Sequence, residues 1–161
     1  MTDAIAKLAI ATGIALKKHH LTLATAESCT GGGLSYWLTS VPHSSQWFER
    51  GFITYSNAAK IELLQVNPAT LETFGAVSEP TAREMAEGAL KHSLAKLSIA
   101  ITGTAGPDGG TALKPVGTVW MAWARRDANT VTQMQHFSGD RQSIREQSIA
   151  YCLSHLLEQL N

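Results

Sequence analysis

The 161-residue sequence has little charge: Asp, Glu, Lys and Arg make up 16% of it, against about a quarter in an average soluble domain. Thirteen basic residues balance thirteen acidic ones, for a formal net charge of zero. Nucleic-acid binders draw most of their affinity from phosphate contacts and carry a basic excess, so this balance argues against a nucleic-acid partner. Cysteine is scarce too. Cys29 and Cys152 stand far apart and form no CxxC pair, and the six histidines fall at no zinc spacing. That leaves neither a disulfide framework nor a sequence-encoded metal site, and the expected compartment is the reducing cytoplasm. No apolar run approaches the roughly 20 residues needed to cross a bilayer. Met1 to Leu16 is interrupted by Asp3, Lys7, Thr12 and Gly13, so it lacks a signal-peptide core.

What is present is a 44% apolar chain, long enough to bury about two-thirds of its unfolded surface as one domain over 1–161. The low charge also leaves few groups to cover the surface, which favours a homo-oligomer. Helical and strand patterns alternate. Ile5, Leu8, Ala9, Thr12 and Leu16 fall at helical spacing, giving a helix over 3–18. A strand is expected at 21–26, a glycine-entered helix at 30–39, and a strand at 47–55 with Gly51 as a bulge. Ser56 or Asn57 caps a short helix over 58–65, and Pro68 opens another short turn. Pro80 sits at a helix N1 position, with the helix running to about Leu94. Leu97 to Ile101 and Gly117 to Ala124 read as buried strands, 102–116 as loop, and Thr130 to Phe137 as an edge strand. Ile144, Ile149, Leu153, Leu156 and Leu160 stripe a final helix. The fold class is α/β: a layered domain with a central β-sheet flanked by helices.

Four stretches carry possible chemistry. Ala26-Glu27-Ser28-Cys29-Thr30-Gly31-Gly32-Gly33 follows a strand and opens a helix. Such an elbow exposes a nucleophile, Ser28 or Cys29, beside free N–H groups that can hold an anion or oxyanion, with Glu27 to orient it. The plainer alternative is an N-cap serine in a glycine-rich helix–sheet contact. Tyr55-Ser56-Asn57-Ala58-Ala59-Lys60 ends the next strand. A serine nucleophile needs a base, and burial lowers a lysine towards neutrality. Five helical positions turn through about 500°, so Tyr55 and Lys60 share no helix face. Tyr55 at the strand end and Lys60 in the following helix can still converge, Tyr55 relaying or holding the proton. A surface lysine and a packed tyrosine are the alternative. Thr102 to Gly110 places four glycines and two hydroxyls directly after a buried strand, where α/β sheets bind ligands. It is not a P-loop, since no lysine follows at the required spacing. Phe137-Ser138-Gly139-Asp140-Arg141, with Arg145 four residues later, puts a cap and a cation at the start of the last helix. An arginine there opposes the helix dipole, which an anionic ligand would resolve. An exposed arginine paired with Glu146 is the alternative.

In order, AESCTGG at 26–32, FERGFITYSNAAK at 48–60, GAVSEPTA at 75–82, TGTAGPDGG at 102–110, KPVGTV at 114–119 and FSGDR at 137–141 closely resemble the CinA C-terminal domain family, in its stand-alone form. The resemblance spans nearly the whole chain. It implies an α/β fold and a cofactor-free, metal-independent hydrolysis of nicotinamide mononucleotide to nicotinic acid mononucleotide and ammonia, a step of pyridine-nucleotide salvage. By that resemblance Ser28 matches the nucleophile, Lys60 the base and Tyr55 the assisting tyrosine. The expected substrate-binding set is Glu27, Thr30, Gly31, Gly32, Thr102, Gly103, Thr104, Ala105, Gly106, Gly109, Gly110 and Arg141. Arg141 and the 102–110 loop are the expected holders of the 5′-phosphate. Two other readings share these motifs: a non-catalytic nucleotide-binding or regulatory protein, and an amidase for another small amide.

Overall fold

Alternation along the strands decides what can cover each side of the sheet. In the computed structural model, which describes all 161 residues, β1 (Leu23–Glu27), β2 (Phe48–Ile53), β3 (Leu97–Gly103), β4 (Thr118–Arg125) and β5 (Ala128–His136) form one sheet in the order β2-β1-β3-β4-β5. β1 pairs in parallel with β2 and β3, while β3–β4 and β4–β5 are antiparallel. One face presents Leu23, Ile99, Ile101, Val119, Met121 and Trp123. α1 (Thr2–Lys18), α2 (Gly33–Thr39) and α6 (Arg141–Leu160) cover that face with Ile5, Leu16, Leu34, Leu38, Leu153 and Leu156. The buried centre of the opposite face is alanine: Ala24, Ala26, Ala100, Ala122 and Ala124, with Phe52 and Trp120 packed at its margins. Small side chains let a helix approach closely, and α5 (Glu79–Lys91) fills the space with Ala82, Met85, Ala86 and Ala89. Its companions on that side are α3 (Asn57–Leu64) and α4 (Pro68–Phe74).

The expected elements are present, with shifts at their edges. α2 begins at Gly33 rather than Thr30, because Gly31 and Gly32 adopt φ of +58° and +94° and form a turn. α5 stops at Lys91, its last turn closed by the N–H of His92. Ser78 is its N-cap, so Pro80 is the second helical residue and not the first. Gly51 is not a bulge. It pairs in register with Thr25, and the irregularity lies at Glu49. Gly51 is bare for space, since a Cβ there would stand 2.6 Å from Ser35 Oγ and 2.8 Å from Thr25 Oγ1. β5 is an edge strand, and no helix is long and apolar enough to cross a membrane.

The chain leaves β1 for one face of the sheet and enters β3 from the other. The crevice between their carboxyl ends is therefore a topological switch point, where open α/β sheets place ligands. The elbow after β1 and the glycine-rich loop after β3 both emerge there.

The seating of α3 depends on Gly88. A Cβ at Gly88 in α5 would run into the Leu64 carbonyl at the end of α3. Gly88→Ala should therefore lower the thermal midpoint, costing about 1–3 kcal/mol by overpacking, although the same change on an exposed helix stabilises. A midpoint at or above that of the parent chain would show that α3 and α5 are not pinned at this contact.

Candidate active site

Ser28 directly follows β1. Its N–H extends the sheet to the Ile101 carbonyl at 2.9 Å, and its carbonyl accepts the Gly31 N–H at 3.0 Å. The tight turn this closes keeps Ser28 out of α2. It is not an N-cap, a position taken by Gly32, whose capping is supplied from elsewhere. Glu27 does this: its carboxylate accepts Thr30 Oγ1 (2.7 Å), Leu34 N (2.8 Å), Ser35 N (3.0 Å) and Ser35 Oγ (2.6 Å). A carboxylate has about four acceptor sites, so Glu27 is saturated, and it has no exposed surface. The expectation that Glu27 binds substrate is thus corrected. Its carboxylate faces the α2 backbone and holds the elbow. Thr30 is also fully buried, its hydroxyl on Glu27.

Lys60 sits in the first turn of α3, whose N-cap Ser56 accepts the Ala59 N–H at 3.0 Å. Lys60 is only 1% exposed. Its Nζ lies 2.9 Å from the Thr54 carbonyl, 3.2 Å from the Tyr55 carbonyl and 3.1 Å from Ser28 Oγ. Two of these partners can only accept. Nζ therefore directs two N–H bonds at carbonyls, and its remaining tetrahedral position points at Ser28. In the ammonium form that position holds a third proton; in the neutral amine it holds the lone pair. Burial pushes the Lys60 pKa below the ordinary lysine value, towards the form whose lone pair can take the serine proton.

Cys29 is a poor rival nucleophile. Burial pushes its thiol up to about 12, and the thiolate is the reactive form. Its main-chain N–H and that of Thr30 have no acceptor in the turn, whereas the Gly31 N–H is spent on Ser28.

A cleft of about 240 Å3 opens over Ser28. Of the residues expected from sequence, Ser28, Tyr55, Lys60, Thr102, Gly103, Ala105 and Arg141 line it. Tyr55 contributes in two ways: its carbonyl holds Lys60, and its exposed phenol oxygen accepts Arg141 Nη2 at 3.1 Å. Arg141 Nη1 donates to the Gly106 carbonyl at 2.6 Å. Lys60 and Arg141 are the charged residues of the lining, with no carboxylate among them. Several expected contacts lie elsewhere. The Thr102 hydroxyl is occupied by the Ala76 carbonyl at 2.8 Å. Thr104 is tied through its main chain to Thr118 and Gly117. Gly31, Gly32, Gly109 and Gly110 are outside the cleft lining, and Gly106 acts through its carbonyl. Sequence reasoning missed Asn57, Ala76 and Val77, which complete the wall. Asn57 stands inside the YSNAAK stretch, and Ala76-Val77 precedes the capped start of α5.

Residues 5–160 match the family of CinA C-terminal domains. The chain is 49% identical over 160 residues to the nicotinamide-nucleotide amidohydrolase PncC of Escherichia coli (strain K12), covering 99% of this chain and 97% of that one. It is 44% identical over 157 residues to the protein of the same name from Pseudomonas putida, covering 97% of each. The crystal structure of the competence/damage inducible protein CihA from Agrobacterium tumefaciens superimposes with a TM-score of 0.94 at 42% identity, over 98% of this chain and 96% of that one.

The lone-pair geometry has a pH signature. Because the Lys60 pKa is lowered, its neutral form appears at lower pH than in an exposed lysine, and Ser28 gains reactivity as that proton leaves. Labelling of Ser28 by a fluorophosphonate should rise with pH and level off through an ionisation below the ordinary lysine range, about 10.4. A labelling rate that does not change with pH below that range, or is equally fast in Lys60→Arg, would separate Lys60 from the activation of Ser28.

Proposed function

Since the chain belongs to the CinA C-terminal domain family, we propose that it is a nicotinamide-nucleotide amidohydrolase working through a Ser28–Lys60 pair. The observation that carries this reading is the third bonding position of Lys60 Nζ, 3.1 Å from Ser28 Oγ, with the other two held by the Thr54 and Tyr55 carbonyls. Neutral Lys60 takes the Ser28 proton as Oγ attacks the carboxamide carbon of nicotinamide mononucleotide. Oxyanion charge develops against the unbonded N–H of Cys29, which lines the cleft. Preorganised donors of this kind supply several kcal/mol, roughly 2.7–4 for one donor in a serine protease.

Lys60 then gives its proton to the departing amide nitrogen, ammonia leaves, and Ser28 carries the acyl ester. Water attacks that ester, its proton passing to Lys60 and from there to Ser28 Oγ. Nicotinic acid mononucleotide is released and both groups are restored. Tyr55 fixes the base through its carbonyl and Arg141 through its phenol. Arg141 is thereby held at the cleft mouth as a cation for the substrate's anionic end. A cytoplasmic location, where such nucleotides reside, and a homo-oligomeric assembly complete the reading. The exposed Tyr36, Ile53, Phe74 and Leu113 support the assembly.

The test is ammonia release from nicotinamide mononucleotide, nicotinamide riboside and nicotinamide, assayed side by side. The mononucleotide should be the preferred substrate. Ser28→Ala should abolish release, while Cys29→Ala should keep most of it. Lys60→Arg should be nearly inactive, because a guanidinium stays protonated. Activity lost with Cys29 and kept with Ser28→Ala would sink the mechanism, and preference for another amide would sink the substrate.

A further inference from the structure

A second cleft, of about 370 Å3, shares Arg141 with the catalytic one. Its wall includes Gly33, Trp37, Gln142, Arg145 and Glu146. Arg141 and Arg145 stand one turn apart at the start of α6, so their side chains share a face. Neither forms an ion pair with a carboxylate. Glu146 is engaged by Gln142 Nε2 at 2.9 Å, and Asp140 is spent on the Ser143 N–H at 2.8 Å. Two like charges one turn apart repel, and both oppose the positive end of the helix dipole.

The donors are unspent as well. Arg145 makes one hydrogen bond, from Nη2 to the Thr30 carbonyl at 3.0 Å, and its Nε is buried without a partner. The main-chain N–H groups of Arg141 and Gln142 also find no acceptor. Arg145 lies on the elbow, its Nη2 in ordinary contact distance of Gly31. Two unneutralised guanidiniums with free donors, at the start of a 20-residue helix and anchored two residues from the nucleophile, make a place for a doubly charged anion.

Resting on the function proposed above, we propose that this cleft is the phosphomonoester subsite, and that Arg145 is the specificity residue that separates a nucleotide from its nucleoside. The carboxamide end lies on Ser28, Arg141 stands between the two clefts, and the 5′-phosphate reaches the free donors of Arg145 and the α6 N-terminus. A phosphomonoester near neutral pH carries a charge of about −1.5 to −2, and the two arginines face it with Glu146 as the one carboxylate of the wall, held by Gln142.

Arg145→Gln is the informative variant, because it keeps a polar side chain while the charge and the fork are gone. It should raise KM for nicotinamide mononucleotide about 10- to 100-fold, the loss expected for one charge-assisted hydrogen bond. Its kcat should stay within about threefold, as for removal of uniform binding, and kcat/KM for the riboside should not change. Arg145→Lys, which keeps charge but not the fork, should fall between and serves if the glutamine variant does not fold. Independently of turnover, inorganic phosphate should shift the Trp37 indole and Gln142 amide resonances saturably in the parent chain and in Ser28→Ala, but not in Arg145→Gln. Equal losses on mononucleotide and riboside would overturn the proposal and reduce Arg145 to a support of the elbow. Ammonia release by a chain whose cleft resonances ignore phosphate would overturn it too. Phosphate shifts without ammonia release from any substrate would leave the anion site standing and remove the amidase reading.

Discussion

Lys60 is taken out of water without a carboxylate to receive it, and the surroundings of Ser28 follow from how that is managed. A buried amine needs acceptors, and here they are two consecutive carbonyls, Thr54 and Tyr55, where the chain leaves β2. Carbonyl dipoles soften the penalty for the charged form but do not cancel it, so the amine stays easy to deprotonate. An acidic partner would have held the proton in place. The same stretch is locked to the nucleophile's strand, because the Thr54 N–H donates to the Glu27 carbonyl at 2.8 Å. One residue later the chain is Ser28. Lys60 and Ser28 are thus referenced to one pair of adjacent strand ends, and a 3.1 Å approach follows from β-sheet geometry more than from side-chain choice.

The support behind this pair is layered. The alanine face of the sheet lets α5 sit close, and Gly88 lets the end of α3 sit close to α5 in turn. Lys60 therefore projects from a helix whose position is set by small residues two layers away. On the other side, Glu27 collects four donors and fixes the start of α2. A buried carboxylate is tolerated there because each of its acceptor sites is used and because it faces the positive end of a helix.

Much of this is legible before any coordinates. The apolar run 97–101, the doubly apolar 118–124 and the capped helices announce an α/β layer, and Ser28 and Lys60 stand in stretches whose composition suits a nucleophile and a base. What escapes has physical reasons. Strand order depends on pairing between residues far apart in sequence, which local patterns do not encode. The start of α2 is misplaced by three residues because two glycines take left-handed conformations, a freedom their letters permit but do not require. Glu27 is the right kind of residue to orient a serine, yet its direction is decided by α2 donors seven and eight positions away. The Lys60 cradle is made of main-chain carbonyls, and a carbonyl has no residue-type signature. Arg145 is noted one turn after Arg141 but given no role, because its partner, the Thr30 carbonyl, is equally anonymous.

Arg141 joins three remote parts of the chain: Tyr55 after β2, Gly106 after β3, and the first turn of α6. α6 is also a large share of the core on the large-residue face of the sheet, from Ile144 to Leu160. Its docking therefore has two effects at once: its apolar stripe closes the large-residue face of the sheet, and its first turn brings a cation to the wall of the cleft over Ser28. Loosening the helix anywhere along that stripe withdraws the guanidinium as well, so the charge at the cleft reports on the packing of the core.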